Sequence, residues 1–477
     1  MKKILLVLAI ALTSITVANW SLIKQIATFS PIFMPRHGST PANEAEAHLQ
    51  DIEYLEKLLN YDRSFDEAAR AEFVQLLVSS KQNVDSMSLA DLYMLGAKAT
   101  ALADNGHTGM SPWPIRGEFN SVGVRYFYFQ DGLYVVRALA EHEPLIGRRV
   151  IEIDGQPIDT ILAILDSYSG GTAVWQRLNS VILLESPQLL HAADLVDSPD
   201  GYTLAVEDQS GNTLQVELNA QLPLAPENIP FPRTNKNLDA EAWPVEGDEW
   251  VRALQDISAD EVPLYLRQMD QLYMWTPLQN DGGYVRIQEM VNTQEQSIQS
   301  FFDDNLKPLP DGSLQYLVVD LRANDGGDFV LFVEAAKWLP DKVADNGRLY
   351  ILVGSQTFSA AINSAGLLKY YGGEKVMIIG SPMGDREQYW GEFGIDFHLP
   401  NSGFKVRYAT GYHDWENGCE DHPYCYTQFL KHGVAAGSLA PSHIIEPTYA
   451  EYAAGQDVVL EWVYEQELTV ASVNSNQ

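Results

Sequence analysis

Between Asn43 and Ala103 apolar residues recur at spacings of three and four: Leu49, Ile52, Leu55, Leu58 and Leu59, then Phe73, Leu76 and Leu77, then Leu89, Leu92, Met94 and Leu95. That period lines one face of a helix with apolar side chains and predicts an N-terminal helical subdomain over residues 43–110. Over residues 111–220 the pattern changes to strand-like runs such as VGVRYFYF and GLYVVRAL, separated by Gly and Asp turns, which predicts a β-rich domain. Residues 221–262 are rich in Pro and acidic groups and read as a linker crossing the surface. From residue 263 the pattern changes again. Strands expected at Tyr284–Ile287, Tyr316–Leu321, Leu349–Val353 and Val376–Ile379 alternate with helical stretches, one of them Thr293–Leu306. Such alternation predicts βαβ units and an α/β core over 263–465, closed by the helix EYAAGQDVVLEWVYEQ, with 466–477 as a tail.

The stretch Tyr316–Leu368 concentrates the candidate chemistry. Its first apolar strand breaks abruptly into Arg322, Asn324, Gly326 and Gly327. Paired glycines there offer backbone N–H groups with no Cβ in the way of a ligand, one way to build an oxyanion hole. The second strand turns at Gly354–Thr357, and Ser359 then opens the small-residue helical run SAAINSAGLL. At a helix N-terminus the dipole and unpaired N–H groups favour developing negative charge. Ser is equally a preferred capping residue, so a nucleophile and a plain N-cap are both open from this half alone. Asp320, Arg322 and Asn324, at a strand end beside a glycine turn, are expected to hold the turn by hydrogen bonds.

Composition narrows the setting. The chain has 477 residues, 46% of them hydrophobic, enough for two or three domains with a large core. Lys2 and Lys3, the apolar run from Ile4 and Thr16-Val17-Ala18 form a signal-peptide pattern over 1–18, with 19–42 a linker; an uncleaved anchor is the alternative, because Trp20–Ile26 is also apolar. An exported chain, periplasmic or secreted, meets an oxidising environment, where Cys419 and Cys425 most simply form one disulfide. The rival is a metal site with His413, Asp421 and His422, but this Cys spacing fits no standard zinc pattern, and no metal is expected. A formal charge of −33 argues against nucleic acid and anionic membrane surfaces as partners.

DLRANDGG followed by a strand and TFSAA resembles the S41 family of serine peptidases, which includes tail-specific, C-terminal-processing and tricorn-like proteases. The resemblance implies an α/β catalytic core of crotonase- or ClpP-like type. It makes Ser359 the nucleophile and gives the oxyanion-hole N–H groups to Ala360 and to Gly326 or Gly327. The helix that ends in ALADNGHTGM is similar to one that tricorn-like members follow with DGHT, which implies His107 as general base; Asn105 replaces the Asp. The segment LIGRRVIEIDGQPIDTILAIL resembles the end of a PDZ-like domain, within 111–220.

S41 enzymes of the C-terminal-processing branch use a Lys base about 25 residues after the Ser, in keeping with the Ser-Lys variant of the triad. Here that position falls on Gly384, and no Lys lies between Lys375 and Lys405, so the resemblance points to the Ser-His-Glu branch. Tricorn-like spacing puts the Glu in DWENGCED, nearest Glu416, with Glu420 and Asp414 as rivals, although AGSLAPS lacks a Glu at the offset that branch shows. The implied activity is an exported serine endopeptidase acting on peptide or protein substrates through an acyl-enzyme, with no cofactor. The alternative is a non-catalytic module of the same fold that binds an apolar ligand or peptide, as retinoid-binding repeats do. An α/β-hydrolase esterase would need a G-x-S-x-G elbow, which the chain lacks.

Overall fold

The computed structural model describes residues 28–30, 39–112, 114–223, 237–241, 249–392, 397–426 and 433–474. The segment read as a signal peptide therefore lies outside the described residues, as does most of the stretch read as a linker over 19–42.

Three helices open the described chain: α1 (Glu44–Leu55), α2 (Glu67–Ser80) and α3 (Leu89–Ala101). Each starts at a side-chain cap, Asn43, Asp66 and Ser88, and Ser88 forms a full capping box with Asp91. Their apolar stripes, including Ile52, Leu55, Phe73, Leu77 and Leu92, meet in one buried cluster. Short strand β1 (Gly109–Met110) follows.

An antiparallel sheet comes next, in the order β2 (Val124–Phe129), β3 (Gly132–Leu139), β4 (Arg149–Ile153), β5 (Gly201–Glu207) and β6 (Thr213–Asn219). Helices α4 (Ile158–Asp166) and α5 (Ala173–Leu183) pack on each other and share the core of the N-terminal helices.

The second sheet carries the site. Its strands are β7 (Tyr273–Leu278), β8 (Gly282–Ile287), β9 (Leu314–Asp320), β10 (Val343–Val353) and β11 (Val376–Gly380), with β16 (His443–Ile444) beyond β11. All neighbours pair in parallel except β7 with β8. Residues 317–319 on β9 and 349–353 on β10 are apolar and buried because both faces are covered. On one face lie α7 (Ile298–Asn305), α8 (Val333–Trp338) and α9 (Ala360–Gly372); on the other, α11 (Val458–Asn474) packs through Val459, Leu460 and Val463. Helix α6 (Pro187–Ala192) belongs to the first core, and Tyr449 and Tyr452 of α10 (Tyr449–Ala453) pack with Phe129, Val136 and Leu266 in a separate buried cluster. The helix expected at Thr293–Leu306 starts only at Ile298, because Ser297 forms a capping box with Ser300.

After β11 come β12 (Gln388–Gly391), β13 (Phe397–His398), β14 (Lys405–Arg407) and β15 (Gly411–Asp414). Strand β14 pairs with β1, Gly109 opposite Arg407, and Phe397, Phe404, Val406 and Tyr408 join the N-terminal core. The LPNSG turn is fixed to α1, where the Asp51 carboxylate accepts from the backbone N–H of Asn401 and of Ser402, each at 2.8 Å. This segment fastens the N-terminal helices to the chain that follows the second sheet.

Candidate active site

Ser359 follows the turn after β10 and immediately precedes α9. Its backbone has φ +54° and ψ −120°, a conformation that L-residues rarely adopt and that costs on the order of 1–3 kcal/mol. An ordinary capping Ser has extended backbone and bonds the first turn, yet the Ser359 side chain makes no cap hydrogen bond. Ser359 therefore does not have the geometry of an ordinary N-cap. The elbow is held on both sides: Phe358 N–H donates to Asn324 O at 3.0 Å, and Thr357 Oγ1 donates to Leu321 O at 2.8 Å.

The glycine turn lies directly against this elbow. Gly326 and Gly327 have φ +117° and +124°. A Cβ on Gly326 would stand 2.7 Å from Ser359 Cβ, 3.2 Å from its Oγ and 3.3 Å from Ala360 N, so only glycine lets the two turns meet. Gly326 N–H donates to Asn324 Oδ1 at 2.9 Å, and Asn324 Nδ2 donates to Ile287 O at 3.0 Å. Asp320 and Arg322 are structural in this arrangement: Arg322 pairs with Asp320 and with Asp457 just before α11, anchoring the turn to the far face of the sheet. The two carboxylates push the guanidinium pKa further up, against the effect of burial.

His107 reaches the elbow from the loop after α3. Asp104, at φ +46°, turns the chain there. The imidazole is 2% exposed and stacks on the ring of Phe358, the residue before Ser359, with centroids 4.4 Å apart. The loop is held from inside by Asp62, whose Oδ2 accepts from Thr108 Oγ1 at 2.6 Å. It is held from outside by Arg386, which donates to Asp104 O at 2.8 Å and to both Asp104 carboxylate oxygens at 2.9 Å.

The carboxylate on the imidazole is Asp385, whose Oδ2 lies 3.1 Å from His107 Nδ1, with both side chains buried. Its other oxygen accepts from Arg386 N–H at 2.9 Å. Sequence reasoning missed this residue, although its neighbour Gly384 marked the turn.

Three comparisons bear on what this arrangement is. Residues 281–344 match the model of peptidase family S41, a span that holds β8, β9 and the glycine turn. This stretch of the chain is similar to peptidase family S41.

Solved structures share the fold of this chain. Mature CPAF complexed with lactacystin is 16% identical, with a TM-score of 0.53 over 91% of this chain and 99% of that one. Mature CPAF is 15% identical, with a TM-score of 0.55 over 91% and 98%. The CPAF S499A mutant is 16% identical, with a TM-score of 0.54 over 86% and 95%. Among curated proteins none matches the chain.

Glu416 and Glu420, expected from spacing as the third member, are placed elsewhere. Glu416, two residues past β15, accepts from Gln388 Nε2 on β12 at 2.8 Å, and Glu420 is exposed. Asp414 is likewise taken by Asn417 N–H at 2.8 Å. The expectation counted residues along the chain, whereas Trp415, fully buried against α9, fixes where this segment's side chains go. A Lys base at 384 has no room, since a Cβ there would stand 2.4 Å from Ser355 O.

Cys419 and Cys425 are joined, with sulfurs 2.00 Å apart. Among the described residues no group of His, Cys, Asp and Glu is arranged to hold a metal, and no helix is long and apolar enough to cross a membrane. A mainly apolar cavity of about 440 Å³ opens between β2, α5 and the ends of β10 and α11. Ala323, Ser355 and Gln356 line it, and so reach it from the two turns that meet at Ser359.

Proposed function

We propose that this chain is an exported serine endopeptidase of family S41 whose triad is Ser359, His107 and Asp385. A Ser hydroxyl becomes a competent nucleophile only when a neighbouring base takes its proton. His107 Nε2 is the base, because Nδ1 faces the Asp385 carboxylate, which fixes the tautomer and stabilises the imidazolium as it forms. Ser359 Oγ attacks the scissile carbonyl, and the tetrahedral oxyanion forms at the N-terminus of α9. Ala360 N–H is one donor there. Gly326 already gives its N–H to Asn324, so Gly327 is the donor from the turn. His107 then protonates the leaving amine, and a water activated by the same ring releases the acyl group. The cavity beside Ala323 and Gln356 takes apolar side chains of the substrate. Export is supported by the leader pattern at Met1–Ala18 and by the Cys419–Cys425 pair.

The observation that carries this reading is the buried His107–Asp385 pair stacked against the residue that precedes the strained Ser359. Ser359→Ala is expected to cut hydrolysis of an unfolded protein substrate by more than about 10³-fold with an unchanged circular dichroism spectrum. Wild-type cleavage by that variant overturns it.

A further inference from the structure

His107 is one ring in a column that continues past the site. Trp175 stacks on Phe358 at 4.0 Å and 13°, and Phe358 on His107 at 4.4 Å and 27°. The other face of His107 lies on Tyr389 at 4.9 Å and 8°, and Tyr389 lies on His413 at 4.5 Å and 5°. Tyr389 is 4% exposed, and its hydroxyl donates to Asn363 Oδ1 at 2.7 Å. Asn363 sits in the first turn of α9, where its N–H donates to Ser359 O at 3.2 Å. One side chain thus connects the base to the helix that carries the nucleophile.

Resting on the triad reading above, we propose that Tyr389 is a positioning residue for the base, setting the plane of the His107 ring and stabilising its protonated form. Asp385 acts at the ring edge and leaves rotation about the Nδ1 contact to be fixed by the two faces. Near-parallel stacking on Phe358 and Tyr389 supplies that restraint. The ring is buried when it takes the Ser359 proton, so the new charge has little water around it, and an aromatic face stabilises a desolvated cation through its quadrupole. The Asn363 bond couples the same ring to α9, so the imidazole and Ser359 keep their relation if either segment shifts.

The charged and titratable groups around His107 are Asp385 at its edge, Arg386 with Asp104 on the two clamped loops, and Asp62 behind Thr108. Beyond Tyr389 stands His413, whose Nε2 is 3.3 Å from Glu392 Oε1. All of these are unchanged when only the electronics of residue 389 are altered.

The test places phenylalanine, then pentafluorophenylalanine, at position 389 of the full chain. The titration midpoint of His107 is followed by NMR in Ser359→Ala protein, and the rate of fluorophosphonate labelling against pH in protein that keeps Ser359. Phenylalanine retains the face and is expected to leave the midpoint within about 0.3 unit. Pentafluorophenylalanine keeps the shape and reverses the quadrupole; it is expected to lower the midpoint by about one unit, a tenfold change in proton affinity. The labelling plateau should fall about threefold with it, as the base weakens by about one unit and the rate follows with a Brønsted coefficient of about 0.5. Tyr389→Met, which fills the space without an aromatic face, should move both readouts in the same direction. A His107 midpoint unchanged by the fluorinated ring overturns the proposal. Absence of Ser359 labelling in unsubstituted protein instead overturns the triad reading, while the NMR titration still decides the role of Tyr389.

Discussion

His107 Nδ1 lies 3.1 Å from Asp385 Oδ2, and both side chains are 2% exposed. A buried ion-pairing group is tolerated only with its partner, and removal of one member leaves the other without compensation. The pair joins the loop after α3 to the turn before β12, so His107 meets Asp385 only when the N-terminal helices are docked on the second sheet.

Asp385→Asn preserves size but presents the wrong donor or acceptor to Nδ1. It is expected to lower kcat by on the order of 10²–10⁴-fold, with KM changed far less. Glu416→Gln is expected to stay within a few-fold of wild type, because Glu416 is bonded to Gln388. Steady-state kinetics on one peptide substrate separates the two carboxylates.

Gly326→Ala introduces a Cβ 2.7 Å from Ser359 Cβ at a backbone φ of +117°. The expected result is a loss of about 1–3 kcal/mol in urea unfolding, from strain at that φ. Activity should fall by at least about 10²-fold, since an ångström of misplacement at the nucleophile costs that much.

Arg386 and Asp104 form an exposed clamp, with 43% and 66% of their side-chain surfaces accessible. Exposed pairs contribute only about 0–1 kcal/mol, so either alanine variant should melt near the wild-type temperature. Because the clamp holds the His107 loop against the Asp385 turn, kcat should fall about tenfold in each. The double variant should be no worse than either single one, the signature of a shared interaction in a double-mutant cycle.

Asp62 provides a pH test. Burial raises its pKa above the usual 3.8, against the lowering effect of bonds from Ser64, Thr108 and Ala409. A raised carboxyl pKa means that the folded state holds the proton more tightly than the unfolded chain. The stability it contributes is therefore fully present below about 3.8 and is lost as pH climbs through the raised value. Asp62→Asn carries no such titration. The stability of wild type minus that of the variant should fall across this acidic window and be flat at neutral pH, measured by urea unfolding at a series of pH values.

Much of the site was legible because it is local. The break of β9 into Gly326 and Gly327, and the start of α9 after Ser359, are patterns within a few residues of each other. What a linear reading could not supply was the partner of His107. In a chain with 64 acidic residues, spacing alone does not say which carboxylate folds onto a ring. Asp385 does so because Gly384 N–H donates to Thr357 O at 3.1 Å and draws that turn over the elbow. The role of LPNSG was hidden for a similar reason, since Asn401 and Ser402 meet an aspartate in α1, at the other end of the described chain.

The most direct test is covalent. Full-length protein is treated with a fluorophosphonate probe, digested, and the adduct located by mass spectrometry, alongside His107→Ala and Asp385→Asn protein. The account predicts a single adduct on Ser359, formed at least about 10²-fold more slowly in each variant. An adduct on another serine, or labelling of Ser359 at an unchanged rate without His107, would contradict it.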